Sequence, residues 1–238
     1  MEKVQLVLVD FDDTLVETAP RFARARGALF RLLAEDGFDP AEVARVHHEE
    51  VDPGMRARHG FGPARLGPAF VETYRALCAA TGGAVDPAVE RRCLDLAAAV
   101  AGTPPAIDGA LPALRALAAR VPTAIYTQAG NLEYQLGCLR DAGALDIVGE
   151  ARVRVVPVKT AEALRQTLDA FDLADTASAW MVGNSIRSDV NPALELGVNA
   201  ILVEQKDPWH HDVVVPLHDA FHRVATFRHA VDFLLNGR

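Results

Sequence analysis

Short apolar runs alternate with longer amphipathic stretches along most of this chain of 238 residues. The short runs are rich in β-branched and apolar side chains and are bounded by polar residues, glycine or proline, a pattern typical of buried strands. The pattern predicts five such strands, at residues 4–9, 123–126, 153–158, 179–182 and 200–203.

Amphipathic segments with helical spacing lie between the later strands, at residues 111–119, 132–142, 161–171 and 192–196. Pro112 near a helix start, and Gly143 and Gly197 just past helix ends, follow the usual asymmetry of helix termini. Strands that alternate with helices connect through right-handed crossovers, which build a parallel sheet covered by helices on both faces. The sequence therefore predicts an α/β fold with a doubly wound parallel sheet.

The segment from residue 17 to residue 103 breaks this alternation. It contains alanine- and arginine-rich helical patterns but no convincing strand pattern, and it is too long for an ordinary crossover. We predict an inserted helical domain over residues 17–103 and an α/β core domain over residues 1–16 and 104–238. The helical patterns lie at 19–33, 40–50, 69–80 and 87–101.

The composition disfavours several classes of partner and site. A formal net charge of -8 and a pI near 5.5 do not favour binding to nucleic acid or to an acidic membrane, since both require a basic surface. Cys78, Cys93 and Cys138 are widely spaced, so each is predicted to be a buried apolar residue and not part of a disulfide or zinc site. Without a signal-peptide pattern or a long apolar run, we expect a cytoplasmic protein. We expect it to be a monomer or a homodimer.

Three carboxylates follow the first predicted strand, at Asp10, Asp12 and Asp13. Carboxylates this close repel one another and are poor strand formers, so a favourable interaction has to offset the repulsion. One interpretation is an acidic turn or a helix N-cap, and the other is a hard-cation site that includes a nucleophile. Alternation along an extended chain puts Asp10 and Asp12 on the same side, where both can face one ligand.

Polar residues also follow the other predicted strands. Taken singly, Thr127 is explained as a strand residue, Lys159 as a solvated turn residue and Asn184 as a helix cap. The carboxyl ends of parallel strands meet at one edge of a sheet, where open α/β sheets bind ligands, so these residues are expected to share one crevice. The set comprises Thr127, Gln128, Lys159, Asn184, Ser185 and Asp189.

The order and spacing of these residues resemble the four motifs of the haloacid dehalogenase (HAD) superfamily. The motifs are Asp10-x-Asp12-x-Thr14, then Thr127, then Lys159, then Gly183-Asn184-x4-Asp189. The helical insert is similar to the C1 cap of that superfamily, and a final strand and helix near residues 223–235 complete the likeness. The resemblance implies a HAD-like Rossmannoid core with an α-helical C1 cap.

The resemblance also implies a role for each motif. Asp10 is the expected nucleophile, which forms an aspartyl phosphate, and Asp12 is the expected general acid and base. Thr127 and Lys159 complete the catalytic set. The residues expected to bind the phosphoryl group are Phe11, Asp13, Thr127, Gln128 and Lys159, with the backbone amides from Phe11 to Asp13 among the donors.

The expected cofactor is Mg²⁺, which prefers oxygen ligands. By resemblance, its ligands are the Asp10 carboxylate, the Asp12 backbone carbonyl, Asp189, and Asn184 either directly or through water. Asn184 stands where many members have Asp, so weaker or more water-mediated binding is expected. Asp13 stands where many members have glycine, and it is expected to cap the following turn.

The resemblance implies a Mg²⁺-dependent phosphatase for a small phosphorylated metabolite, such as phosphoglycolate, a sugar phosphate or a nucleoside monophosphate. Dehalogenases of the superfamily expel halide, which needs no proton, and lack an acid at the position of Asp12, so Asp12 favours phosphate chemistry. Two alternatives stay open. One is a phosphomutase or phosphotransferase that excludes water from the same intermediate, and the other is a phospho-ligand binding protein with an attenuated metal site.

Three further polar groups are predicted to lie outside the catalytic set. Adjacent side chains on a helix point about 100° apart, so His47 and His48 are not expected to bind one metal ion. They are predicted to lie on a solvated helix. Residues 209–212 are predicted to pack at a surface or interface, with a second metal site as the alternative. Four residues of the insert are predicted to be solvated or to contact an anionic part of the substrate: Arg56, Arg58, His59 and Arg65.

Overall fold

Six parallel strands form one sheet in this computed structural model, which describes residues 4–206, 212 and 214–237. The spatial order is β3-β2-β1-β4-β5-β6, so the chain starts in the middle of the sheet and builds outward in both directions. This order confirms the predicted α/β fold with a doubly wound parallel sheet. The strands are β1 Leu6–Val9, β2 Thr123–Gln128, β3 Val153–Val156, β4 Ala179–Gly183, β5 Asn199–Val203 and β6 His222–Val224.

The register places the carboxyl ends of the central strands along one edge of the sheet. Val9 at the end of β1 pairs with Ile125 of β2 and with Val182 of β4, and Gln128 pairs with Val156 at the end of β3. The residues that follow these four strands therefore leave the sheet along one edge.

Apolar side chains pack on both faces of the sheet. Along β1, Val7 and Val9 belong to the core on one face, and Leu6 and Leu8 to the core on the other. Burial on both faces explains why the strands are continuous apolar runs. The first face is covered by α6 Ala110–Ala118, α7 Leu132–Asp141, α8 Leu145–Val148 and α11 Phe227–Asn236, and the second by α9 Ala161–Asp169 and α10 Asn191–Glu195.

The chain divides into two units. The unit with the sheet comprises Met1–Ala19, Thr103–Gln128 and Leu132–Arg238, and the helical unit comprises Pro20–Gly102 with Ala129–Asn131. These borders lie within a few residues of the sequence-based ones, but the loop that follows β2 groups with the helical unit, which the sequence pattern did not predict.

The helical part has its own apolar core, in which Phe70, Tyr74 and Leu33 are fully or almost fully buried. Asp39 and Asp86 cap two of its helices by accepting backbone N–H bonds with their side chains. The helices are α1 Ala19–Glu35, α2 Pro40–Arg45, α3 Asp52–His59, α4 Leu66–Thr81 and α5 Pro87–Ala98, with a π-helix at Val46–Val51 and a 3-10 turn at Pro63–Arg65.

His47 is buried, so the prediction that it is solvated is wrong. It lies in the π-helix, and its ring packs edge-on against Phe30 and Phe70. Thr73 Oγ1 donates to the Ala69 carbonyl at 2.8 Å, so it accepts the Nδ1–H of His47 at 3.0 Å. Burial lowers the pKa of His47 to about 3, although nearby Asp52 opposes the shift, so the imidazole is neutral near pH 7.

Arg65 is buried as well, which contradicts its predicted solvation. Its guanidinium pairs with the buried Asp52, and Arg56 binds the other oxygen of the same carboxylate at 3.1 Å. Arg58 and His59 are exposed, as predicted. The sequence pattern could not separate these cases, because the buried carboxylate that pairs with Arg65 is thirteen positions away.

All three cysteines are buried thiols outside any disulfide, which agrees with their predicted role as small apolar residues. Among the residues that the structure describes, no helix combines the length and apolar character needed to cross a membrane. The predictions for residues 209–211 lie outside the described residues.

Acidification is expected to destabilise the protein through His47. In the unfolded chain His47 is protonated below pH ~6.5, whereas in the folded chain it stays neutral down to pH about 3. Between these values the unfolded chain binds more protons than the folded chain, so stability rises with pH. The slope attributable to His47 is at most ~1.4 kcal/mol per pH unit. Urea unfolding of wild type and His47→Asn at a series of pH values measures it. His229→Asn, an exposed histidine on α11, controls for the substitution and should keep the wild-type slope.

Candidate active site

The candidate site begins at Asp10, the first residue beyond β1. Its backbone N–H donates to the Val182 carbonyl at 2.9 Å, so the strand ladder continues up to the residue where the chain turns away. The residue is only 6% exposed. A carboxylate buried to this extent needs compensating partners, and they come from the ends of the neighbouring strands.

Lys159 is the principal partner of Asp10. Its ammonium Nζ lies 2.5 Å from Asp10 Oδ1 and 2.6 Å from Asp189 Oδ1, and the side chain is buried. The backbone N–H of Lys159 donates to the side-chain carbonyl of Gln128 at 2.7 Å, which holds the segment after β3 against the end of β2. The structure thus brings together four residues predicted from four different strand ends: Asp10, Gln128, Lys159 and Asp189.

The buried charges of this cluster do not balance. Burial favours the neutral amine of Lys159, but Asp10 and Asp189 outweigh it and raise the pKa of Lys159 above its usual range. Burial raises the pKa of Asp10 well above its usual range, since Lys159 only partly offsets the lost hydration. One ammonium shared by two carboxylates, with the Asp12 carboxylate nearby, leaves a net negative centre that favours a cation.

Oxygen atoms beside Asp10 are suited to that cation. The side-chain amide of Asn184 approaches both Asp10 Oδ2 and the Asp12 backbone carbonyl to 3.2 Å. With its nitrogen inward the amide donates to both oxygens; with its oxygen inward, three oxygens face one another and require a positive ion between them. Such an all-oxygen set fits Mg²⁺.

Carboxylate side chains alone would not be enough to bind a metal ion at this site. Within the described part of the chain, no cluster of three or more His, Cys, Asp or Glu side chains is arranged to hold a metal ion. A metal ion would therefore have to rely on the Asn184 amide and the Asp12 carbonyl as well as on Asp10.

Asp189 is held between Lys159 and the chain after β4. It lies in a π-helix, Ile186–Val190, and its Oδ2 accepts the backbone N–H of Ser185 at 3.0 Å. Gly183 leaves the space that the carboxylate occupies, because a Cβ there would overlap Asp189. The predicted role of Asp189 as a metal ligand stays a prediction, since the contacts described for its two oxygens are hydrogen bonds from Lys159 and Ser185.

Asp12 accepts hydrogen bonds at both carboxylate oxygens. Oδ1 lies 2.5 Å from Thr18 Oγ1, and Oδ2 lies 2.7 Å from Gln135 Nε2 and 3.5 Å from Thr127 Oγ1. Thr18 and Gln135 were not predicted. Gln135 had a signal in the sequence, because it is a polar residue on the buried face of α7, which it shares with Leu139.

Asp13 caps the segment that leads into α1. Its carboxylate accepts the backbone N–H groups of Thr18 and Ala19 at 2.8 to 3.0 Å, which confirms the predicted capping role. Its φ of 56° lies in the left-handed region, which explains why glycine also suits this position. Burial raises the pKa of Asp13 to about 7, although the bond from Ala19 opposes the shift.

The predicted phosphate contact of Asp13 needs correction. The backbone N–H of Asp13 already donates to the Val16 carbonyl at 2.8 Å and its carboxylate is occupied as a cap, so Asp13 is not a free donor for phosphate. The side-chain carbonyl of Gln128 accepts the Lys159 backbone N–H, so a phosphate contact of Gln128 would use its side-chain NH₂ group and stays a prediction. The Phe11 side chain is fully buried, so only its backbone is left for the predicted role.

Two residues that follow β5 also contact the site and were not predicted. Gln205 Nε2 donates to the Asp13 carbonyl at 2.7 Å, which supports the turn after β1. Asp212 accepts the hydroxyl of Ser185 at 2.8 Å, and burial raises the pKa of its carboxyl. The sequence offered no periodic signal for either contact, since both come from an irregular segment.

The sequence profile of haloacid dehalogenase-like hydrolases, a hydrolase family, matches residues 4–197. No curated protein matches the chain significantly.

Solved structures with the same fold cover nearly the whole chain. A haloacid dehalogenase-like hydrolase from Xanthomonas campestris is 23% identical, with a TM-score of 0.80 over 97% of this chain and 91% of that one. The HAD hydrolase YfnB from Bacillus subtilis, bound to magnesium, is 16% identical, with a TM-score of 0.62 over 99% and 100%. A 2-haloacid dehalogenase from Pseudomonas syringae is 17% identical, with a TM-score of 0.60 over 99% and 100%.

Proposed function

The chain belongs to the haloacid dehalogenase-like hydrolase family, and on that premise we propose that it is a Mg²⁺-dependent phosphatase that hydrolyses a small phosphorylated metabolite through an aspartyl phosphate. The observation that carries the proposal is the pair of carboxylates after β1. Asp10 is bound to a buried lysine, and Asp12 is oriented by neutral hydrogen-bond donors. These are the environments that a nucleophile and a proton-transfer group require.

In the first step, a carboxylate oxygen of Asp10 attacks phosphorus while the bond from phosphorus to the leaving oxygen breaks. The electron pair goes to that oxygen, which takes the proton of the Asp12 carboxylic acid and departs as an alcohol. Lys159 stabilises the charge on Asp10 and on the phosphoryl oxygens, and the Thr127 hydroxyl donates to one of those oxygens. The product on the protein is an acyl phosphate.

In the second step, water attacks the same phosphorus and the bond to Asp10 breaks. Asp12, now a carboxylate, takes a proton from the water, so both side chains return to their starting states. The sum is one phosphomonoester and one water converted to an alcohol and inorganic phosphate. Proton transfer of this kind contributes roughly 10²- to 10⁴-fold to such rates.

Asp10, the Asp12 carbonyl and Asn184 would hold the Mg²⁺ ion, with Asp189 close by. When bound, the ion supplies positive charge that neutralises the phosphoryl oxygens and the attacking carboxylate. The net negative charge of the cluster and its facing oxygen atoms support this assignment.

Dehalogenation is the competing activity, because several of the similar structures are 2-haloacid dehalogenases. Displacement of halide from carbon needs an attacking carboxylate but no proton for the leaving group. In that displacement the Asp12 carboxylate, which has hydrogen-bond donors at both of its oxygens, would have no leaving group to protonate. We therefore favour phosphate transfer.

The test is phosphate release from a panel of phosphorylated metabolites and p-nitrophenyl phosphate, with 2-chloropropionate as a parallel substrate for chloride release. We expect phosphate release that EDTA abolishes and added Mg²⁺ restores. Chloride release without phosphate release would instead identify a dehalogenase. Transfer of phosphate between substrates without free phosphate would identify a phosphomutase or phosphotransferase, and binding without turnover a phospho-ligand binding protein.

A further inference from the structure

Gln135 is buried on α7, and its amide nitrogen contacts two residues of the candidate site. Nε2 lies 2.7 Å from Asp12 Oδ2 and 3.0 Å from Thr127 Oγ1. From this geometry we propose that Gln135 is a positioning residue, which holds the Asp12 carboxylate in place and determines which of its oxygens carries the proton. The inference rests on the proposed role of Asp12 as acid and base.

The two contacts determine how the amide is oriented. The Gln135 atom that faces Asp12 Oδ2 and Thr127 Oγ1 is the NH₂ nitrogen, and each of those oxygens can accept a hydrogen bond. Its two N–H bonds match its two partners, one on Asp12 and one on Thr127. Gln135 is only 4% exposed, so water competes little with these bonds, and the bond to the carboxylate is charge-assisted.

The two oxygens of Asp12 have different neighbours. Oδ2 faces the nitrogen of Gln135, which donates and cannot accept, so a proton on Oδ2 would meet an N–H group. Oδ1 faces the hydroxyl of Thr18 at 2.5 Å, and a hydroxyl can either donate to a carboxylate or accept from a carboxylic acid. The proton that Asp12 transfers therefore resides on Oδ1.

The second N–H of Gln135 acts on Thr127. It occupies a lone pair of Thr127 Oγ1 at 3.0 Å, whereas the contact between that hydroxyl and Asp12 Oδ2 is long, at 3.5 Å. The hydroxyl proton is thus only weakly held by Asp12 and can turn to a phosphoryl oxygen. One amide couples the proton-transfer residue to the phosphate-binding hydroxyl.

Gln135→Met tests the assignment, because it preserves side-chain length and removes both N–H groups. For the best alkyl phosphate of the metabolite panel, whose alcohol leaves poorly, we expect kcat/KM to fall at least ~10-fold, part of the ~10²-fold or more that acid catalysis supplies. For p-nitrophenyl phosphate, whose leaving group needs little protonation, the fall should be much smaller. The ratio of the two values does not depend on the fraction of protein that is folded.

Two comparisons separate positioning from a general structural effect. In an Asp12→Asn background, Gln135→Met should add little, because the residue through which it acts is already disabled. Gln166→Met, an exposed glutamine on α9 that donates to Glu162, should leave the ratio unchanged. An unchanged ratio in Gln135→Met, or an equal further loss in the Asp12→Asn background, would overturn the inference alone. A wild type without phosphatase activity would overturn the proposed function and the inference with it.

Discussion

Asp10→Asn is expected to lower kcat/KM for phosphate release at least ~10³-fold, the scale seen when a covalent nucleophile is removed. An amide oxygen is a poor nucleophile, so the aspartyl phosphate cannot form. Folding should survive, because Lys159 keeps its bond to Asp189 at 2.6 Å and one buried negative charge is removed.

The measurement is single-turnover phosphate release together with thermal unfolding of the same samples. Asp232→Asn, an exposed carboxylate on α11, serves as the matched control and should keep wild-type activity. Activity of Asp10→Asn within a few-fold of wild type would exclude Asp10 as the nucleophile.

Lys159→Met is expected to remove activity and to destabilise the protein by about 3–5 kcal/mol, the cost of leaving a buried charge without its partner. The ammonium lies between Asp10 and Asp189, and all three side chains are buried. Adding Asp189→Asn should recover part of the lost stability but none of the activity, since it removes one of the two unpaired carboxylates.

Urea unfolding of the single and double variants measures this coupling, and Lys206→Met, an exposed lysine, controls for the loss of a lysine charge. Lys159→Arg keeps the charge and should fold, yet lose most activity, because a broad guanidinium crowds the space between Asp10 and a phosphoryl oxygen. A stable Lys159→Met protein would show that the buried pair contributes little to folding.

The sequence was most informative where one residue type is unusual in its surroundings. Of 24 basic residues only three are lysines, and one of them, Lys159, follows a buried strand. Asp10 and Asp12 likewise interrupt an apolar run at a strand end. Since parallel strands end at a common edge, the topology alone predicts that such residues meet, and Lys159 does contact Asp10.

Other features depend on partners that are distant in the chain. Gln135 is 123 positions from Asp12, and no spacing rule links a helix residue to a particular carboxylate at that separation. His47 was predicted to be solvated together with His48, whereas its burial results from a π-helix and from Thr73 on another helix.

The amino-acid sequence suffices to predict the doubly wound sheet, the helical insert and the polar residues at the strand ends, because hydrophobic period and strand length are local properties of the chain. The pairing of the charges, by contrast, follows from the packing of the folded chain. In the folded chain Lys159 pairs with two carboxylates, Asp13 accepts a backbone N–H at the start of α1, and Gln135 donates to Asp12. Each of these contacts depends on distances of a few ångströms between side chains from different segments of the chain. Patterns in the sequence do not predict such distances.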